Sequence, residues 1–298
     1  MTGSKPPAAA ERPSTSESPV PAEKALEAPL QFRPEAAHDC RSQIFPRIFH
    51  QLTELVESRH VRIPPESRVS SKHLLYEMAR DLLKTETQLM RMGQIQNNAF
   101  LEAEDRVRSG KSPWTGFKDP TEQVQRAFEE GLYACLTAIR RLPRLVSQLS
   151  GKKSASISEL IAGLRRDWCD DPEILKEVQA IDDWTEHLYR IRLKAEHNQL
   201  AVEPFDLTTL HGELHFRPPW IPELKASCVE FLSDMLHRSM RLLEFVVLLS
   251  VRSRLEPGVD AGFSERFRSD QPGLTGGAIS FIYPGRDPRP SHGPGAGY

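Results

Sequence analysis

His187, Arg190, Lys194 and His197 recur at steps of three and four along residues 181–202, read as IDDWTEHLYRIRLKAEHNQLAV. On a helix that spacing puts them on one stripe. Imidazole titrates near neutral pH and can take or give a proton. Guanidinium presents a planar fork of donors to anionic oxygens, and an ammonium adds a point charge. A groove lined by such groups can bind an anion or stabilise charge that develops in a reaction. Ordinary roles fit the same residues. His197 near a helix C-terminus can interact with the helix dipole. Arg190 can pair with Glu186 four residues earlier, and His187 can sit at the edge of a core.

The stripe needs a helix to carry it. Ile181, Trp184, Leu188, Ile191 and Ala195 form an apolar face beside it, able to pack into a bundle. Asp171-Pro172-Glu173 supplies an N-cap and first turn, so the helix is expected from there to about residue 198 or 200, with Pro204 forbidding much more. Upstream, Ile44, Ile48, Leu52 and Leu55 predict a first helix over 40–58, stopped by Pro64-Pro65. A long second helix, capped by Ser70 or Ser71, is expected to reach about Val107. Asp119-Pro120-Thr121-Glu122 starts a third, whose apolar steps run to Leu149 with a kink at Pro143. A short helix is expected over 156–166, and a last one from Pro222-Glu223 to about Arg254. Between them, LHGELHFRP can form a hairpin.

The pattern predicts an all-α fold. It reads as an up-and-down bundle of four long helices plus short extra helices, in one domain at 39–254. Residues 1–38 are rich in Pro, Ala, Ser and Glu, and 255–298 in Gly and Pro, so both are expected to be disordered tails. Within the second, AISFIYP is a short apolar island, readable as a docking peptide or as a chance cluster.

Composition excludes some chemistry. Lys plus Arg number 39 against 41 for Asp plus Glu, so net charge marks neither a nucleic-acid-coating nor an acidic protein. The cysteines Cys40, Cys135, Cys169 and Cys228 form no CxxC pair, which fits reduced thiols in a cytoplasmic protein. The N-terminus has no apolar signal-peptide core, and the longest apolar run, 242–249, is too short for a membrane span. Phosphate-cradling glycine loops and a GxSxG elbow are absent. So is the pair of Glu-x-x-His motifs that a di-iron bundle needs. His211 and His215 stand four apart but in an expected loop or hairpin, without HExxH. No metal and no cofactor is expected. Asp170-Asp171 is explained by helix capping.

RIRLKAEH, residues 190–197, contains Arg-x4-His from Arg192 and Arg-x6-His from Arg190. It resembles the Arg-x(4–6)-His signature of the HEPN superfamily of small helical bundles. The following Asn198 and the helix order over 70–254 are similar to that family. The chain departs where RNA-cleaving members carry a polar residue after the Arg, since Ile191 and Leu193 follow here. The resemblance implies metal-independent RNA cleavage at a site built by two protomers, as in toxin or defence ribonucleases. His197 would move the proton of a ribose 2′-OH or of the leaving oxygen. Arg190 or Arg192 would stabilise the transition state, with Lys194, Asn198 and His187 contacting RNA. Seven positions are nearly two turns, so Arg190 faces with His197, whereas Arg192 lies about 140° away unless the helix unwinds near Lys194. Arg140, Arg141, Arg144, Arg165 and Arg166 would add RNA contacts if they converge on His197. The other class is a non-enzymatic helical interaction module, in which the same arginines confer solubility.

Overall fold

The structure, a computed structural model, describes residues 42, 44–197, 199–211, 213–255, 262–266 and 278–282. Helices dominate. A seven-residue π-helix, Phe45–Gln51, runs directly into α1, Leu52–Glu57. Next come α2 (Pro65–Arg108), α3 (Thr121–Arg140), α4 (Leu142–Ser150), α5 (Ile157–Asp167) and α6 (Pro172–Glu196). Four short strands follow: β1 (Asp206–Leu210), β2 (Glu213–Arg217), β3 (Trp220–Ile221) and β4 (Ala226–Ser227). The last helix, α7, is Cys228–Arg252.

The starts of these elements follow local chemistry. Asp171 accepts from the backbone N–H of Glu173 and Ile174, both at 3.1 Å, and Pro172 occupies the first turn of α6. Ser156 caps α5. Ser227 and Glu230 form a reciprocal capping box on α7. Gly151 ends α4 at φ 71°, a left-handed position that favours glycine.

Several boundaries differ from the sequence expectation. α2 begins at Pro65, because a proline fits the first helical turn as well as it ends the preceding helix. Ser70 and Ser71 therefore lie inside α2, and Ser71 is buried there. Asp119 still caps α3, accepting from Thr121 N at 2.9 Å, but one residue ahead of the assigned N-cap. Around Pro143 the chain breaks into two helices, α3 and α4, rather than kinking once. Pro222-Glu223 opens a 3₁₀ turn, Pro222–Leu224, and α7 starts six residues later than Pro222 at Cys228. A hairpin forms, but it begins earlier than LHGELHFRP: β1 is antiparallel to β2, with His215 opposite Thr208. Phe216 of β2 packs edge-on against Phe100 of α2 at 5.5 Å, which ties the hairpin to the long helix. The tail at 1–38 lies outside the described residues. So does 256–298, apart from β5 (Gly262–Arg266) and β6 (Ala278–Ile282), which pair antiparallel.

α2, α3, α4 and α7 pack on one another around the core, the π-helix lies against α2 and α7, and α6 packs on α3 and α5. Thr85 of α2 donates to the Gly131 carbonyl of α3 at 3.1 Å. A Cβ on Gly131 would lie 2.5 Å from Leu232 of α7, so the three helices meet at a spot where only glycine fits without a shift. Arg141 binds Glu77 and Asp81 of α2 at 3.2 and 3.1 Å. α6 turns Trp184, Leu188 and Ile191 inward. α7 is buried over most of its length, including Glu244, which is 1% exposed. Arg47 from the π-helix grips Glu244 with two 2.7 Å hydrogen bonds. Removing one partner strands a buried charge. Arg47→Ala is expected to lower unfolding free energy by about 3–5 kcal/mol, and Arg47→Met with Glu244→Leu to recover most of it. Urea denaturation of the three proteins checks this.

Candidate functional site

α6 presents its stripe because the adjoining apolar face is fixed in the core. Where the stripe passes the 3₁₀ turn and the first turns of α7, it borders an open cleft of about 420 Å³. Trp184, Phe231 and Met235 supply the apolar lining, and Glu223, Asp234 and Arg238 the charged one. Trp184 Nε1 donates to the Met235 sulfur at 3.3 Å. Asp234 and Arg238 pair at 2.8 Å. Lys225 follows the 3₁₀ turn at φ 50°, a left-handed position that reverses the chain after Glu223.

His187 lines this cleft, half-buried, its ring edge-on to Phe231 at 6.4 Å. Arg190 Nη2 sits 2.8 Å from His187 Nδ1. Guanidinium can only donate, so Nδ1 accepts and the imidazole proton resides on Nε2. Burial lowers the His187 pKa from 6.5; Arg190 and Arg238 lower it further, while Glu223 opposes. Lys194 bonds Glu223. That hydrogen bond and the Lys194 charge, helped by Arg190 and His187, hold the Glu223 carboxyl below its ordinary range. The structure thus gathers His187, Arg190, Lys194 and Glu223.

It does not gather the others. α6 stays helical through Lys194 to Glu196, so Arg192 remains on a different side. Arg192 bonds Glu196, and its guanidinium lies over the Tyr133 ring of α3 at 5.5 Å. His197 is the C-cap residue, exposed, its N–H bonded to the Leu193 carbonyl at 3.2 Å. Among the described residues its side chain has no hydrogen-bonding partner, and none links it to Arg190. The seven-residue separation is a rise of about 10 Å, and Arg190 turns toward His187 instead of Glu186. Asn198 lies outside the described residues.

The arginine cluster also divides. Arg140 lies over the Tyr189 ring at 5.8 Å, Arg165 bonds Asp182, and Arg166 reaches Asp167 at 4.0 Å. His211 stands in the β1–β2 turn at φ 53°. Among the described residues, no three His, Cys, Asp or Glu side chains form a group able to hold a metal ion. The buried thiols Cys135 and Cys228 are pushed up to about 12 by burial, which removes nucleophilic thiolate at neutral pH.

Glu223 and Phe231 were not foreseen as partners of the stripe. The local signal at Glu223 is a Pro-Glu helix start, and nothing local says that it meets Lys194 twenty-nine residues away.

Protonating His187 would set two cations against each other, so the neutral form belongs to the fold. The stability that this gives is present above the unfolded pKa of about 6.5 and is lost as pH falls through the lower native value. We expect the His187 ring resonance to titrate below 6.5 in NMR, and Arg190→Ala to move its midpoint upward.

No family model, no curated protein and no solved structure matches this chain.

Proposed function

We propose that the chain is a non-enzymatic helical interaction module. Its four long helices are read as an up-and-down, HEPN-like bundle that displays α6. One observation carries the reading: the Arg190 N–H occupies the Nδ1 lone pair of His187 at 2.8 Å. Nε2 then holds a proton, and the ring has no free lone pair with which to act as a base. The charges along the cleft are already matched as Lys194–Glu223 and Arg238–Asp234. A binding surface tolerates such matching, whereas a phosphoryl-transfer site needs its cations free for the transition state.

A second reading has one observation in its favour. His197 is exposed without a side-chain partner among the described residues, so an arginine of a second protomer can reach it. That would restore a metal-independent ribonuclease across a homodimer. Purified protein incubated with RNA in EDTA separates the two. The module reading expects no cleavage above buffer, and identical traces for wild type and His197→Ala. Cleavage that leaves 2′,3′-cyclic phosphate ends and vanishes in His197→Ala establishes the ribonuclease instead.

A further inference from the structure

On the side of α6 reached by Arg192, the helix faces α3, and the surface there differs in kind from the cleft. Two arginine–tyrosine pairs cross the seam in opposite senses. Arg192 of α6 lies over Tyr133 of α3 at 5.5 Å, and Arg140 of α3 lies over Tyr189 of α6 at 5.8 Å. Tyr133 is 57% exposed, which leaves much of the side chain open to solvent. Arg140 and Arg144 are exposed on successive turns at the α3–α4 junction. Among the described residues neither has a carboxylate partner, in contrast to Arg141 beside them. Leu193 is exposed at 56% next to Arg192.

We infer that the α3–α6 seam is a platform for single-stranded nucleic acid, with a base stacked on Tyr133 and backbone phosphates held by Arg140 and Arg144. The proposal rests on the interaction-module reading and names its partner. Guanidinium charge without a carboxylate partner asks for an anionic partner, and exposed rings ask for one with planar faces. A single strand offers both at short intervals, since every base has a π-face and every linkage a negative charge. Seven residues separate Tyr133 from Arg140, about 10 Å along a helix, a span that one strand can bridge while touching both. A duplex keeps its bases stacked inside and presents no free face to Tyr133. A folded acidic protein fits less well. The central part of a protein interface is apolar and well packed, and this seam offers one exposed leucine among rings, arginines and the Glu196 carboxylate that pairs with Arg192. The cleft side of α6 is unsuited to a polyanion, because Glu223 and Asp234 line it.

Fluorescence anisotropy tests the proposal. The full chain is titrated into labelled RNA and DNA strands of about twenty nucleotides, the matching duplexes, and a labelled poly-glutamate peptide, all in EDTA. We expect single strands to bind more tightly than duplex, with RNA and DNA alike because the seam shows no group dedicated to a 2′-OH. Tyr133→Ala should weaken single-strand binding about tenfold. Arg140→Ser with Arg144→Ser should weaken it and flatten the slope of log K against log salt by about 1.4, the value for two phosphates on a single strand. Lys111→Ser with Lys118→Ser removes equal charge from an exposed loop and should leave the slope unchanged.

Three outcomes overturn the platform: no binding of any strand, equal binding of duplex with indifference to Tyr133→Ala, or tighter binding of poly-glutamate than of RNA. Probe integrity on a gel separates this from the reading beneath it. An intact, unbound probe overturns the platform alone, while a degraded one overturns the non-enzymatic reading.

Discussion

The ion pair of Arg47 with Glu244 is the constraint on which the packing around α7 depends. α7 runs through the core and carries a carboxylate that is 1% exposed among leucines and valines. A bare carboxylate there is strongly disfavoured, because it gives up its hydration and receives nothing in return. The Arg47 fork satisfies both oxygens, each at 2.7 Å, and in doing so fixes where the π-helix lies against α7. Ile44, Ile48 and Leu52 then enter the core on the same segment. Phe45 and Phe49 pack edge-on against Tyr76 of α2, which ties the segment to the long helix as well. A well-packed hydrophobic pair would come close to this ion pair in stability. What the charges add is a single acceptable register, since any slip would leave both of them unpaired.

The same rule, that charge follows geometry, governs α6. Burial of Trp184, Leu188 and Ile191 fixes the rotation of the helix. Its polar residues are then left with whatever each side offers. Toward the 3₁₀ turn and α7 they find Glu223, and burial, with the charge of Arg190, lowers the pKa of the neighbouring His187 imidazole. Toward α3 they find tyrosine rings. Arg192 there also pairs with Glu196 of its own helix, so the arginines without carboxylate partners on that side, among the described residues, are Arg140 of α3 and Arg144 of α4.

That contrast is what favours the proposed interaction module over catalysis. Catalysis by imidazole needs a ring with a usable lone pair and a cation near the reacting oxygen. Here the half-buried imidazole has its lone pair occupied, and the exposed one, His197, sits at a helix end with no side-chain hydrogen-bonding partner among the described residues. Recognition needs only exposed groups of the right kind, and Tyr133 with Arg140 and Arg144 supplies them.

Local chemistry in the sequence determined that the chain is helical, that α5 and α6 start at Ser156 and Asp171, and that a hairpin lies between α6 and α7, although most of its first strand, Asp206–Leu210, precedes the LHGELHFRP stretch that predicts it. Caps, prolines and periodicity act over one or two turns, so they are legible in order along the chain. The face of α6 was legible too, because its apolar residues recur at helical spacing. Tertiary structure alone decided what lies opposite each side chain. Arg47 finds Glu244 across 197 residues, Lys194 finds Glu223 across 29, and Arg192 meets Tyr133 on another helix. It also decided that Arg190 bonds His187 rather than standing beside His197. Helical spacing gives the side of a cylinder on which a residue lies. Which partner a flexible guanidinium turns toward depends on desolvation and on neighbours that only packing brings near.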